Sequence, residues 1–205
     1  MSDSYRTLAG SADASFAVRG SEFVGYVAPV EDVEGAEAFV AAVRERHPDA
    51  THNVPAYRVR VGDATLGSAM LREYQNDDGE PSGSAGKPML NVLQGQELEN
   101  VAAVVTRYYG GTNLGVGGLV RAYSRATKVA VAAAGTVEEV PHRRLSVTVA
   151  YDDSGTVRGI LESAGVEFDA TYESDVSFDA RVPLSEADAL ADRLRSATSG
   201  RADVA

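Results

Sequence analysis

Cysteine is absent from all 205 residues. That excludes disulfides, cysteine-ligated zinc and thiol catalysis, and it agrees with a reducing compartment. No apolar run reaches about 18 residues, so no helical membrane span is expected. The opening segment MSDSYRTLAG has no basic stretch leading into a hydrophobic one, and the expectation is a soluble, unprocessed, cytoplasmic protein with no membrane partner. Lysine is nearly missing, with Lys87 and Lys128 set against seventeen arginines. Histidine is scarce, and His47, His52 and His142 are too scattered for metal-ligand spacing, so no metal site is expected from them. No internal repeat or low-complexity segment is apparent.

Carboxylates are plentiful. Thirty acidic against nineteen basic residues give a net charge of −11. With so few lysines this resembles a halophilic composition, and it ordinarily argues against a nucleic-acid partner. Yet between Glu99 and Glu138 there is no acidic residue, while Arg107, Arg121, Arg125 and Lys128 all lie there. A cationic island sits in an acidic protein.

That island occupies the most informative stretch, Val101 to Gly135. Val101–Val105 is an apolar run that continues through Thr106, Arg107, Tyr108 and Tyr109 as a buried strand. Five glycines follow within nine residues: Gly110, Gly111, Gly115, Gly117 and Gly118. Val116, Leu119, Val120, Tyr123, Thr127, Ala130, Val131 and Ala134 then recur at helical spacing, and Gly135 offers a left-handed stop. Arg121, Ser124, Arg125 and Lys128 share another face of that helix, so its cations are expected to project from one side. A glycine loop running into a helix N-terminus flanked by cations suits an anion.

Earlier in the chain, strands are expected over Ala12–Val18 and Glu22–Pro29, joined by Arg19, Gly20 and Ser21. A helix carries Ala36, Phe39, Val40, Val43 and His47 on one face and ends at Pro48. Strands over Ala56–Val61 and Thr65–Tyr74 follow, with Gly62 and Asp63 as the turn. Asn76–Pro88, NDDGEPSGSAGKP, must be a loop. Its Asp77, Asp78, Glu80, Ser82, Ser84 and Lys87 are polar, and the carboxylates and hydroxyls among them are what Mg²⁺ prefers, although Asp and Ser in turns more often bond nearby amides. A helix from about Ala85 to Leu98 buries Met89, Val92 and Leu93.

DATHNVPAYRV at Asp49–Val59, DDGEPSGSAGKP and VVTRYYGGTNLGVGGLVRAYSRA together closely resemble the IMPACT/YigZ family, in the family's order. Val54 and Pro55 stand where relatives often have Cys and Tyr, so no role passes to those side chains. The resemblance implies an α+β chain whose N-terminal domain, residues 1–140, is similar to domain 2 of ribosomal protein S5, with a left-handed βαβ crossover against the usual rule. It also implies a link with control of translation, known for eukaryotic members.

Glu138–Arg144 reads as the boundary, and residues 141–205 restart the pattern. Leu145, Val147, Val149 and Tyr151 alternate as a strand. Val157, Ile160, Leu161 and Ala164 form a helix closed by Gly165. Val166–Tyr172 and Val176–Val182 give two more strands, and Ser185 with Asp188 resembles a capping box before a helix burying Ala187, Leu190, Ala191 and Leu194. A last strand near Arg201–Val204 completes β-α-β-β-α-β, the ferredoxin-like order. The resemblance agrees, since YigZ-like proteins carry a C-terminal domain similar to the last domain of the translocation elongation factor.

Catalytic arrangements are thin. No G-x-S-x-G elbow is present, and of the histidines only His52, beside Asn53 in a resembling block, invites a functional role. The glycine loop matches neither G-x-x-x-x-G-K-[ST] nor G-x-G-x-x-G. Small-molecule kinases of S5-like fold carry a base and a Ser-rich phosphate loop, which are not found here. The first expectation is a non-enzymatic, translation-associated regulator without cofactor. It would bind RNA phosphates or a ribosome-linked partner through Lys87, Arg107, Gly110, Gly111, Asn113, Gly115, Gly117, Gly118, Arg121, Arg125 and Lys128, with Asp78, Glu80, Ser82 and His52 nearby. The second is an enzyme using Asp78, Glu80 and Mg²⁺ on a phosphorylated or nucleotide metabolite. The third is a protein-binding module with no anionic ligand.

Overall fold

The computed structural model describes residues 4–61 and 70–205, so the expected turn at Gly62 and Asp63 and the start of the following strand lie outside the described residues. In chain order the elements are β1 Tyr5–Leu8, β2 Ala12–Val18, β3 Ser21–Pro29, α1 Val33–Arg46, β4 His52–Val61, β5 Met70–Gln75, α2 Gly86–Gly95, β6 Val101–Tyr108, α3 Val116–Ala134 and β7 Thr136–Glu139. Then come β8 His142–Val149, α4 Tyr151–Ala164, β9 Glu167–Tyr172, β10 Val176–Pro183, α5 Leu184–Ala197 and β11 Asp203–Val204. The chain forms two compact units, Tyr5–Glu139 and Val140–Ala205.

In the first unit five strands pair in the order β2-β3-β6-β4-β5, every neighbouring pair antiparallel. β6 lies at the centre, and its unbroken apolar run follows from being covered on both faces. Ala102 and Val104 pack with Ala36, Val40, Val43 and Tyr57 on the α1 side. Val101, Ala103 and Val105 pack with Met89, Leu93, Leu119 and Tyr123 on the α2 and α3 side. α1 starts at Asp32, whose carboxylate accepts from the Gly35 amide at 2.7 Å, the bond an N-cap supplies. His47 closes it, with Nε2 2.7 Å from the Tyr26 hydroxyl and Nδ1 2.8 Å from that of Tyr108.

Some expectations change. β4 begins at His52 and carries Pro55, four residues earlier than the alternation indicates. Two strands were not expected at all: β1 pairs antiparallel with β7, from Tyr5 opposite Glu139 to Leu8 opposite Thr136. Val116 is 56% exposed and belongs to no core. Gly135 does have φ +69°, but its ψ of 173° is not left-handed helical; it turns the chain straight into β7.

The second unit orders its strands β11-β8-β10-β9, all antiparallel. This is the ferredoxin-like arrangement, with Val147, Phe178, Leu161 and Leu194 in its core. Tyr151 is not in the strand; it opens α4 and is 52% exposed. α5 starts after Pro183 with no side-chain cap, so Ser185 and Asp188 make no capping box. Asp188 instead receives Arg143 at 2.8 Å.

Candidate anion-binding surface

The acidic loop is held by its own carboxylates. Asp77 accepts from the Gly83, Ala85 and Gly86 amides at 2.8, 3.0 and 2.9 Å, supplying the acceptors the start of α2 needs. Asp78 accepts from the Asn53 amide at 2.7 Å and from Arg44 at 2.9 Å. His52 Nδ1 lies 2.7 Å from the Asp78 carbonyl oxygen, and because a carbonyl only accepts, that nitrogen is the donor.

Glu80, 8% exposed, reaches the end of the central strand β6. One of its oxygens accepts from Arg107 Nη1 at 2.6 Å and from the Tyr123 hydroxyl at 2.7 Å, while His52 Nε2 stands 3.8 Å away. Arg107 also reaches Ser21 Oγ at 3.4 Å and lies against the rings of Phe23 and Tyr109. Burial, and then the bond to Glu80, push the Tyr123 hydroxyl well above its ordinary value, so it remains a donor. One bonded cluster therefore ties the acidic loop, the end of β6 and α3 together.

One expectation fails here. Arg107 is 5% exposed and turned into this cluster, so it is not an exposed anion contact. Asp78 spends both carboxylate oxygens on Arg44 and Asn53, and Glu80 one of its two on Arg107 and Tyr123. Among the described residues no group of three His, Asp or Glu converges to hold a metal. Ser82 is exposed and brings no further ligand to them.

The glycine loop has mainly steric reasons. A Cβ on Gly110 would lie 1.9 Å from the carbonyl carbon and oxygen of Gly20, at the β2–β3 turn. Gly110 also donates its amide to Ser21 Oγ at 3.1 Å. Gly111 and Gly115 have φ of +81° and +70°, a region that side chains resist. Gly118 packs on the Leu114 side chain, while a Cβ on Gly117 would meet only Arg121 Nη1, at 3.6 Å. Asn113 is exposed and accepts from the Tyr109 hydroxyl at 3.1 Å.

Beside this loop α3 begins at Gly115 with no side-chain cap and no acid in its first turn. A groove of about 270 Å³ runs between β2 and α3, floored by Phe16, Val18 and Ala122 and edged by Arg19, Arg121 and Arg125. Arg125 stacks 4.3 Å over Phe16. None of these three arginines has a carboxylate partner among the described residues. The expected cations of α3 thus divide, for Lys128 lines a different groove with Lys87, between α2 and α3.

Sequence reading gave Arg19 and Ser21 only as a strand connection and Tyr123 only as core, while the expectation that the loop's carboxylates bond nearby amides holds at Asp77. Arg19 has φ +48° at a two-residue hairpin turn, where Asn or Gly is the ordinary choice. An Arg-Gly pair between two strand patterns is a sequence signal that would have singled it out.

The Impact N-terminal domain matches residues 19–131, and a domain of unknown function, DUF1949, matches residues 147–201. The IMPACT family member YvyE of Bacillus subtilis is 33% identical over 205 residues, covering 100% of this chain and 91% of that protein. YigZ of Escherichia coli, also an IMPACT family member, is 35% identical over 170 residues, covering 82% and 81%. A crystal structure described as that of a hypothetical protein superposes with a TM-score of 0.69 at 31% identity, covering 100% of this chain and 97% of the other.

Proposed function

The chain belongs to the IMPACT family, and from that membership we propose that it is a translation-associated regulatory protein that binds RNA phosphates through its first unit. The contact surface comprises the glycine loop, the α3 N-terminus and the groove edged by Arg19, Arg121 and Arg125. The observation that carries the reading is the convergence of three arginines without carboxylate partners in a chain of net charge −11. No ion pair among the described residues holds them there. Arginine forks on phosphates bidentately, and the uncapped amides of α3 favour negative charge.

The open sheet face of the second unit is less suited to RNA. Asp169 lies directly opposite Asp179, and Ser146 donates to Asp179 at 2.6 Å. No aromatic platform of the kind that stacks bases is set between them. Binding rather than catalysis also agrees with Asp78, Glu80 and His52 all being engaged in holding the loops.

The test is RNA binding by Arg121→Ala/Arg125→Ala at low salt. The expected result is a loss of at least tenfold, with the slope of log affinity against log salt falling by roughly 1.4, about 0.7 for each single-strand phosphate contact removed. The thermal transition should be retained. Parent protein that fails to bind RNA, or a double variant that binds like the parent, would overturn the reading.

A further inference from the structure

Lys87 and Lys128, the two lysines of the whole chain, line one groove. It runs between α2 and α3 with a volume of about 670 Å³, and no carboxylate lines it. Neither lysine has an ion-pair partner among the described residues. Lys87 stands in the first turn of α2, which has no acidic residue there; a cation at that end opposes the helix dipole. Helix stability therefore gives no reason for it. Lys128 is likewise exposed on α3.

From this convergence we propose that the groove is a docking site for an acidic, aliphatic peptide segment of a protein partner. Charge complementarity sets the sign of the occupant. The floor sets its kind: Val92 is buried and Val120 half-buried there, a surface for aliphatic side chains. Asn91 and Gln96 on the rim present amides, which pair with peptide groups. Among the groove's residues no arginine or aromatic side chain offers the stacking surface that single-stranded RNA uses. Gly83 and Gly95 leave the two ends without side chains, so an extended chain can run through. The ten residues of α2 extend about 15 Å at 1.5 Å each, the length of about five extended residues.

This surface is separate from the arginine groove and stands or falls without it. Reductive ¹³C-methylation keeps the lysine charge and gives one signal each for Lys87 and Lys128, with the α-amine distinguished by its lower pKa. The probe is a synthetic peptide of about nine residues alternating glutamate with leucine or valine; a lysine-for-glutamate peptide and an oligouridylate serve as comparison. Both lysine signals should shift along one saturation curve with the acidic peptide alone. Lys87→Glu/Lys128→Glu should reduce its binding at least tenfold, measured by peptide fluorescence anisotropy, while Arg121→Ala/Arg125→Ala leaves it unchanged. Overturning results are acidic peptide that moves neither signal, oligouridylate that moves both, or charge reversal without effect. The thermal transition of the lysine variant is recorded alongside, and Lys87→Gln/Lys128→Gln repeats the measurement if charge reversal unfolds the chain.

Discussion

Glu80 is the residue on which the two loops depend. Its carboxylate is 4% exposed and holds Arg107, itself 6% exposed, at 2.6 Å, with Tyr123 at 2.7 Å on the same oxygen. Removing one member of such a pair leaves the other charge buried and uncompensated, which costs about 3–5 kcal/mol. Glu80→Gln should therefore lower the unfolding free energy in urea by about 3–5 kcal/mol at unchanged slope, moving the midpoint down by that figure divided by the slope. Adding Arg107→Met should recover part of the loss, because the stranded charge is gone. A Glu80→Gln protein within 1 kcal/mol of the parent would show that the cluster does not stabilise the fold. Under the proposed RNA reading, losing Arg107 should impair binding only by loosening the loops, whereas losing Arg121 and Arg125 should remove contacts directly.

At the scale of elements, the β2–β3 hairpin and the glycine loop are fitted together at Gly20 and Gly110. Gly110→Ala drives a Cβ into the Gly20 carbonyl, and overpacking against backbone costs about 1–3 kcal/mol. Gly117→Ala meets no such obstacle and should stabilise by about 0.4–1 kcal/mol through the unfolded chain. Paired thermal melts check both signs, and a destabilised Gly117→Ala together with a neutral Gly110→Ala would refute the division. The helices, the central strand and the ferredoxin-like order were legible because each buries a long periodic face. The β1–β7 ribbon was not, since each strand has four residues and its partner lies over 120 positions away in sequence. Tyr151 continues the alternation of β8 beyond the strand's last residue, Val149, so period alone could not mark the end. The arginine groove was half legible: composition exposed the acid-free interval, but only the fold brings Arg19 to Arg121 and sends Lys128 to the other side of α3.

For the whole molecule, charge makes stability and binding respond to salt in opposite directions. A net charge of −11 repels itself in the folded state, and raising ionic strength from 0.05 to 1 M shortens the screening length from over 10 Å to about 3 Å. Ion pairs such as Arg158–Glu162, at 3.8 Å and largely exposed, weaken too, but exposed pairs contribute about 0–1 kcal/mol each. Relief of repulsion among the excess acids should win. The thermal midpoints are expected to rise across that range, by about 4–8 °C for each kcal/mol gained in the smaller second unit and by less in the larger first unit. RNA affinity should fall at the same time. Three arginine contacts at about 0.7 each give a slope near 2, and over a twentyfold rise in salt this is a loss of roughly 10²–10³. Melts by circular dichroism and RNA binding by fluorescence anisotropy, both across one KCl series, measure the two responses together. Midpoints that fall with salt would mean that local pairing, not the acid excess, governs stability. RNA affinity insensitive to salt would remove the phosphate contacts from the account of the arginine groove.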